Sequence, residues 1–336
     1  MPDVQEVFRM ATQKVRPDPE ALERQHRGQR RRVAQKRAAV YALVLVLVVA
    51  GVVIGISTLR SDDVQPGASG ARSTRPPKLD AKRALSIIDV NSGTATNVTA
   101  PADASGFDFT LDGSMVTYTD QDDNGNSQVF VADADGSKAR QLTHEQGDAR
   151  GPRWSPDGSM IAYEQDASDD SQIFVVDVSD GASTRVTNEP GGAVDPGGWT
   201  PDGGSIIFSA FNASVGQFSA RSVDLSTGQT RQIVPDGSTP TLSPDGASIA
   251  FNSYLKPQIR LMLADSDGAA RRTIARLTLD DGYQEWSPDS TQIAFVGSTD
   301  ADGAGTYVYD LATGETRFVT SGTIESWIDN DHILVS

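Results

Sequence analysis

Cysteine is missing from all 336 residues of the sequence, and this absence removes several classes of function. Disulfides, cysteine-ligated metals and thiol nucleophiles are excluded. Histidine is nearly as rare, because only His26, His144 and His332 occur. The sequence also lacks a G-x-S-x-G elbow and an H-E-x-x-H pair, which are motifs of common hydrolases and zinc enzymes. We therefore expect a protein that is not an enzyme, with no catalytic residues and no cofactor.

Aromatic residues are scarce at 7%, yet all four tryptophans occupy one position of an internal repeat. The clearest copy, at 154–163, reads Trp-Ser-Pro-Asp-Gly-Ser-Met-Ile-Ala-Tyr. Proline presets φ, aspartate bonds to nearby backbone and glycine accepts a left-handed conformation, so this copy predicts a strand, a tight turn and a second strand. The aligned first positions, spaced by 41 to 45 residues, are Phe109, Trp154, Trp199, Leu242, Trp286 and Trp327. The aligned turn carboxylates are Asp112, Asp157, Asp202, Asp245 and Asp289.

A repeat of this length, with four short strands in each copy, is typical of a β-propeller blade. The last copy, at 324–335, contains only two strands, and residues 84–99 form a strand pair with no inner pair before it. We expect these two pairs to join into one blade, which closes the ring and leaves no exposed sheet edge. The sequence therefore predicts an all-β protein, with a six-bladed propeller at 84–336.

The net charge of −16 is unevenly distributed along the chain. Residues 1–37 contain ten Lys and Arg against five Asp and Glu, whereas residues 61–336 contain 18 basic and 40 acidic side chains. Because nucleic-acid binding needs a basic surface, the acidic propeller argues against a nucleic-acid partner. The basic segment 1–37 has two interpretations, a docking segment for a cytoplasmic partner or a tail that lies on anionic lipid.

Long apolar runs are absent except for the nineteen apolar or small residues at 38–56. As a helix of about 28 Å, this run nearly matches the bilayer hydrocarbon thickness of about 30 Å, and we predict a transmembrane helix at 38–57. A cleaved signal peptide is the alternative, but its leader and apolar core would be shorter. Basic residues cluster before the helix, which predicts a single-pass membrane protein with 1–37 in the cytoplasm. A flexible linker at 58–83 would then tether an extracytoplasmic propeller.

Carboxylates are frequent in the loops that we expect on the propeller face opposite the Pro-Asp-Gly turns. Loops on a rigid scaffold often carry binding residues. An acidic face would suit a cationic peptide, a basic protein segment or a metal, whereas the alternative is a set of solvated carboxylates that maintain solubility. The candidates for this acidic face are Asp120, Asp122, Asp123, Glu145, Asp148, Asp169, Asp170, Asp195, Asp280, Asp281, Asp300 and Asp302.

One of these loops, residues 120–126, resembles the first half of a calcium-binding loop. Its hard oxygen ligands would come from Asp120, Asp122 and Asn124. The twelfth position of the pattern needs a carboxylate, but Val131 stands there, and a strand follows where a helix should. The loop is therefore a weak metal candidate, and an ordinary polar hairpin is the favoured interpretation.

The Trp-Ser-Pro-Asp-Gly repeats, with their Ile-Phe-Val-Val-Asp and Thr-Arg-Val-Thr strands at 173–177 and 184–187, resemble the TolB-like propeller family, which is related to the WD-type propellers. The resemblance covers 84–336 and implies a role outside the cytoplasmic membrane, with partner proteins bound on one propeller face and no catalytic residues. An α/β domain precedes the propeller in TolB, whereas here we expect a basic segment, an anchor and a linker in its place. This layout is also similar to that of a membrane-bound anti-sigma factor.

Three hypotheses for function follow. The first is a non-enzymatic module of the cell envelope that binds a protein or polymer, with the lipid bilayer contacted through 38–57. The second is a transmembrane signalling protein, whose propeller senses an envelope ligand and alters what 1–37 contacts. The third is an envelope glycan hydrolase or lyase, although no carboxylate pair stands out by its spacing.

Overall fold

The computed structural model describes residues 82–167, 170–212, 215–254, 259–277, 283–299 and 303–336. The strands in these ranges form six antiparallel sheets of four strands each, which confirms the predicted six-bladed propeller. None of these residues belongs to a helix that is long and apolar enough to cross a membrane. The predicted helix at 38–57, the basic segment 1–37 and most of the predicted linker lie outside the described residues.

Each blade is numbered in chain order and its strands are given from the channel outward. Blade 1 contains β3 (Ser105–Phe109), β4 (Met115–Gln121), β5 (Ser127–Asp133) and β6 (Arg140–Gln141). Blade 2 contains β7 (Ala149–Trp154), β8 (Met160–Ala167), β9 (Asp170–Asp177) and β10 (Ser183–Arg185). Blade 3 contains β11 (Ala193–Trp199), β12 (Ser205–Asn212), β13 (Gln217–Asp224) and β14 (Thr230–Val234). Blade 4 contains β15 (Gly237–Leu242), β16 (Ser248–Ser253), β17 (Ile259–Asp265) and β18 (Arg272–Leu277). Blade 5 contains β19 (Gln284–Trp286), β20 (Gln292–Thr299), β21 (Gly303–Asp310) and β22 (Thr316–Thr320). Blade 6 contains β23 (Ile324–Trp327), β24 (His332–Val335), β1 (Lys82–Asp89) and β2 (Ala95–Pro101).

Blade 6 closes the ring, because it takes two strands from each end of the propeller. β1 pairs with β24 in antiparallel register, from Ser86 opposite Val335 to Asp89 opposite His332. This pairing confirms the predicted closure between 84–99 and 324–335. The outer pair is two residues longer at each end than the sequence predicted, since it spans 82–101.

Polar contacts reinforce this closure at both ends of the pairing. Arg83 forms an ion pair with Glu325 of the innermost strand and donates to the carbonyl of Ala104 at 2.7 Å. At the other end, Asn91 Nδ2 donates to Asp331 Oδ1 at 2.8 Å. The closing blade is therefore held by side chains as well as by strand pairing.

The Pro-Asp-Gly turn is held by side-chain hydrogen bonds in addition to its backbone bonds. In blade 2, the Ser155 hydroxyl donates to Asp157 Oδ1 at 2.7 Å and accepts from the Met160 amide at 2.9 Å. Gly158 follows in the left-handed conformation, with φ of 73°, which glycine adopts at little cost. The same hydroxyl-to-carboxylate bond recurs between Thr110 and Asp112, Thr200 and Asp202, Ser243 and Asp245, and Ser287 and Asp289.

The four tryptophans connect neighbouring blades by one repeated hydrogen bond. Each indole N–H donates to a backbone carbonyl in the innermost strand of the preceding blade, at 3.0 to 3.1 Å. The donor and acceptor pairs are Trp154 to Asp108, Trp199 to Arg153, Trp286 to Thr241, and Trp327 to Glu285. The indoles therefore pack between blades and fix the backbone that lines the central channel.

The apolar core lies between the blades rather than along the axis. Leu261 and Leu263 of blade 4, for example, are buried against Trp286 and Phe295 of blade 5. Such burial stabilises the fold by about 25 cal/mol for each Å² of apolar surface removed from water. Because side chains alternate along a strand, the residues beside the buried aromatic positions are directed toward the channel.

Candidate functional site

Six residues, one from each blade, form a ring at the centre of the channel. Each stands immediately before the repeat position that carries the tryptophans. In blade order they are Asp108, Arg153, Gly198, Thr241, Glu285 and Ser326. This channel ring contains two carboxylates, one guanidinium and two hydroxyls.

A cavity of about 130 Å³ lies on one side of the channel ring and opens at the face that carries the Pro-Asp-Gly turns. We call this opening the turn-face mouth. Leu111, Pro156, Pro244 and Pro288 line it at the turns, and Leu111 is 45% exposed. The cavity therefore has an apolar entrance and a charged floor.

Arg153 crosses the channel axis and closes the floor of the cavity. It starts from blade 2, and its Nη2 lies 2.6 Å from Glu285 Oε1 and 3.0 Å from the Tyr283 hydroxyl, both on the opposite blade 5. Its Nε donates to the carbonyl of Pro196 at 3.3 Å. Although burial disfavours its charge, the carboxylate of Glu285, together with Tyr283 and Asp108, raises the pKa of Arg153 above its usual range. The guanidinium is therefore held charged and fixed in place.

Asp108 faces the same guanidinium at a longer distance. Its Oδ1 lies 3.9 Å from Arg153 Nη1, while its Oδ2 accepts from the Trp154 amide at 2.7 Å. Burial raises the pKa of Asp108 to about 7, because Arg153 offsets the loss of water only in part and Glu285 adds repulsion. Asp108 therefore titrates near neutral pH, unlike an exposed aspartate, whose pKa is about 3.9.

Tyr283 completes the ionic cluster beneath the cavity. Burial raises the pKa of its hydroxyl far above the usual value, and Glu285 adds to this effect. The hydroxyl therefore stays protonated and donates a hydrogen bond to Glu285 Oε1 at 2.6 Å. Glu285 thus has two donors on one oxygen, Arg153 and Tyr283.

Thr241 contributes the one ring side chain that is buried and has no partner in the described part of the chain. The residue is 8% exposed, and its Oγ1 makes no hydrogen bond there. Its backbone carbonyl, in contrast, accepts from the Trp286 indole at 3.0 Å. A buried hydroxyl without a partner costs about 1–3 kcal/mol, so Thr241 lowers the stability of the ring.

β-Bulges in the innermost strands of blades 1 to 4 aim the ring residues at the axis. Each bulge precedes a ring residue and contains one residue in the left-handed conformation. The bulged strand bends locally, because it carries more residues than its partner. These left-handed residues are Gly106, Gly151, Asp195 and Thr239, with φ of 61°, 59°, 52° and 43°. Thr239 is held by the Ser209 hydroxyl, which accepts from its amide at 2.9 Å, and by Asn252.

The predicted acidic face is placed only in part by the structure. Asp120, Asp122, Asp123, Glu145, Asp148 and Asp170 lie at or near loops on the face opposite the turn-face mouth. Asp195 instead lies within an innermost strand, at a bulge. The remaining candidates lie outside the described residues, namely Asp169, Asp280, Asp281, Asp300 and Asp302.

Several of these carboxylates bond within their own surroundings. Asp122 Oδ1 accepts from the amides of Asn124 and Asn126, at 2.8 and 2.9 Å, and so closes a hairpin turn. Asp148 accepts from the Ser127 amide at 2.7 Å and forms an ion pair with Arg150. These bonds give both side chains a local structural role.

The weak metal candidates occupy this hairpin. Asp120 accepts from the Gln121 amide at 2.8 Å, and the amide and Nδ2 of Asn124 donate to the Asp122 carboxylate at 2.8 and 3.4 Å. Among the described residues, no three His, Asp or Glu side chains converge as a metal would need. The geometry here is that of a polar hairpin loop.

The channel ring was missed by the reasoning from sequence, although a signal for it is present. Strand alternation requires that the neighbour of a residue buried between blades should face the other way. Reading the residue before each repeat position would have identified Asp108, Arg153 and Glu285 as the charged members of the ring.

The fold and the ring together define the class of this protein as a six-bladed β-propeller with a channel closed by charged side chains. Residues 80–281 match the family described as the TolB beta propeller domain, and the chain belongs to this family. A segment of 72 residues is 38% identical to the Tol-Pal system protein TolB of Xylella fastidiosa, in strains M12 and 9a5c. The match covers 21% of this chain and 16% of each relative.

Solved structures extend the likeness over most of the propeller. A putative TolB from Agrobacterium tumefaciens has a TM-score of 0.63 at 19% identity, and the match covers 76% of this chain and 98% of that one. TolB from Acinetobacter baumannii has a TM-score of 0.56 at 16% identity, covering 75% and 63%. An oligogalacturonate lyase in complex with manganese has a TM-score of 0.50 at 20% identity, covering 70% and 72%. At these identities the likeness shows the fold alone.

Proposed function

We propose that this protein is a membrane-anchored, extracytoplasmic propeller that acts as a non-enzymatic binding module of the cell envelope. The observation that carries the proposal is the cavity at the turn-face mouth, which has an apolar entrance and a charged floor. Such a combination is typical of sites that bind a ligand and fix its orientation with a few polar groups. The partner is an envelope protein or polymer, a segment of which enters the mouth.

Membership in the TolB beta propeller domain family supports an envelope partner, since the curated relatives are named for the Tol-Pal system. The anchor at 38–57 and the basic segment 1–37 support the same location, because they orient the propeller away from the cytoplasm. The acidic loop face remains a second candidate surface for the partner.

The chemistry of the cavity favours binding over turnover. Both of its carboxylates, Asp108 and Glu285, face Arg153, and Glu285 is already bonded to two donors. A pair of catalytic carboxylates would both need to reach a substrate, whereas Glu285 is held by Arg153 and Tyr283. This arrangement supports a binding module rather than a glycan hydrolase or lyase.

Photo-crosslinking in intact cells tests the proposal and locates the surface. A photoreactive amino acid replaces Leu111 at the turn-face mouth in one variant and the exposed Asp123 on the loop face in a matched variant. We expect one envelope partner to be captured from position 111 and not from position 123. Capture from 123 alone would move the site to the acidic face, and capture of cytoplasmic proteins through 1–37 alone would favour the signalling hypothesis.

A further inference from the structure

The channel ring has two cross-channel pairs of different character. Blades 2 and 5 are opposite each other, and their ring residues Arg153 and Glu285 bond directly at 2.6 Å. Blades 1 and 4 are also opposite, but their ring residues Asp108 and Thr241 do not meet. Asp108 Oδ1 has its nearest cation at 3.9 Å, and Thr241 Oγ1 is buried without a partner in the described chain. One pair is therefore bonded to itself, whereas in the other pair the Thr241 hydroxyl is closed off and Asp108, whose side chain is 21% exposed, offers an oxygen to the cavity.

The net charge of the cavity lining determines whether the cavity would attract a cation or an anion. Its lining contains two carboxylates, Asp108 and Glu285, against the single guanidinium of Arg153, so an ionised Asp108 leaves one negative charge in excess. An anion entering the cavity would meet this excess in a site of low dielectric constant, where repulsion is strong. A cation would be attracted and would find a hydrogen-bond acceptor in the partly exposed carboxylate of Asp108.

The size and the walls of the cavity restrict the cation further. A cavity of about 150 Å³ in another protein holds one benzene molecule, so the volume of about 130 Å³ here accommodates a single side chain. The entrance is apolar at Leu111, Pro156, Pro244 and Pro288. Lysine and arginine have an apolar stem and a charged end, which matches an apolar entrance above a charged floor.

We propose that the turn-face mouth binds one lysine or arginine side chain of the partner, with its charged end at Asp108 and beside the Arg153–Glu285 pair. This inference rests on the proposed function and names the chemistry of the segment that enters the mouth. The bound cation would neutralise the excess charge and donate a hydrogen bond to Asp108.

Binding of this kind is coupled to the proton of Asp108. Because the pKa of Asp108 is raised to about 7 by burial, the side chain is largely protonated below neutral pH and offers no charge to a cation. The groups that face it are Arg153 and Glu285, with Tyr283 behind them. We therefore expect cation binding to release a proton and to strengthen from pH 6 to pH 8.

The test uses the full-length protein in detergent and the probe N-acetyl-lysine methylamide. The matched probes carry norleucine, which lacks the charge, and glutamate, which reverses it. Because all four tryptophans line the cavity, their fluorescence reports on binding, and saturation-transfer NMR provides a second readout. At pH 8 we expect the lysine probe to bind at least about tenfold more tightly than the norleucine probe, and the glutamate probe not to bind. A tenfold ratio corresponds to about 1.4 kcal/mol.

Two variants separate this site from general effects. Asp108→Asn keeps an acceptor for the Trp154 amide and should abolish the preference for lysine over norleucine, whereas the loop-face variant Asp123→Asn should keep it. Equal binding of the lysine and norleucine probes, or an unchanged preference in Asp108→Asn, would overturn the cation proposal. The crosslinking at Leu111 is independent, so its success with failure here would keep the binding module and reject the cationic anchor.

Discussion

Arg153 and Glu285 join opposite blades of the propeller through a 2.6 Å ion pair that lies across the channel axis. Their side chains are only 14% and 13% exposed, so both charges have lost most of their water. A buried pair of this kind adds little net stability over apolar residues, because desolvation offsets the attraction. What the pair does provide is a closed floor for the cavity and a fixed position for a charge beside Asp108.

Removal of one partner of this pair should be much more damaging than removal of both. Arg153→Met leaves Glu285 buried without its counter-charge, and we expect a loss of about 3–5 kcal/mol in the free energy of unfolding. Arg153→Met combined with Glu285→Met removes both charges and should recover at least half of that loss. Urea unfolding followed by tryptophan emission measures both variants. Additive losses in the double variant would contradict the role of a coupled pair.

The titration of Asp108 should contribute to the way the free energy of unfolding changes with pH. The pKa of its side chain is about 7 in the folded protein because of burial, and about 3.9 when unfolded. Between these values the folded state binds more protons than the unfolded state, so the contribution of Asp108 to stability falls as pH rises from about 4 to 7 and is level above that. The exposed turn aspartates behave in the opposite way, because hydrogen bonds from Ser155 and the Ser159 amide lower the pKa of Asp157.

A comparison of the wild type with Asp108→Asn isolates this contribution. We expect the wild type to lose about 1–3 kcal/mol relative to the variant between pH 5 and pH 8, which is less than the full pKa difference implies because the side chain is partly hydrated. Urea midpoints at half-unit pH steps provide the measurement. Parallel curves for the two proteins would show that Asp108 has an ordinary pKa in the folded state.

Much of the fold could be predicted because its determinants are local and repeated. The Pro-Asp-Gly turn acts through neighbouring residues such as Ser155 and Asp157, and the spacing of the tryptophans fixes the blade length. Ring closure followed from the incomplete copy at 324–335, since open sheet edges are avoided. These features need no knowledge of long-range geometry.

The channel ring could be predicted only in part, because its residues meet through long-range geometry. Strand alternation places Asp108 and Glu285 on the axis, yet they are separated by four blades in sequence. That Arg153 reaches Glu285 rather than a nearer carboxylate depends on the bulges and on the length of its side chain. The acidic residues of the loops are more numerous than those of the ring, so composition alone points to the other face.

Gly197 lines the cavity where the backbones of blades 3 and 4 lie so close together that a side chain has no room. A Cβ atom there would lie 1.7 Å from the carbonyl oxygen of Pro240, an impossible contact without backbone movement. We expect Gly197→Ala to lower the free energy of unfolding by at least about 3 kcal/mol. The control is Gly203→Ala, where nothing lies within 4 Å and the only cost is the left-handed φ of 71°, about 1 kcal/mol. Equal losses in the two variants, measured by urea unfolding, would contradict tight packing at Gly197.

The absence of cysteine makes the predicted topology directly testable, because any introduced thiol is unique in the chain. Ser92→Cys places a thiol in the exposed turn between β1 and β2, and Thr12→Cys places one in the basic segment. If the anchor at 38–57 spans the membrane with 1–37 inside, an impermeant maleimide should label position 92 in intact cells and position 12 only after lysis. Both thiols should react in detergent, which controls for access. Labelling of position 12 in intact cells would reverse the orientation, and a mature protein without position 12 would show that a leader is cleaved and that no anchor holds the propeller at the membrane.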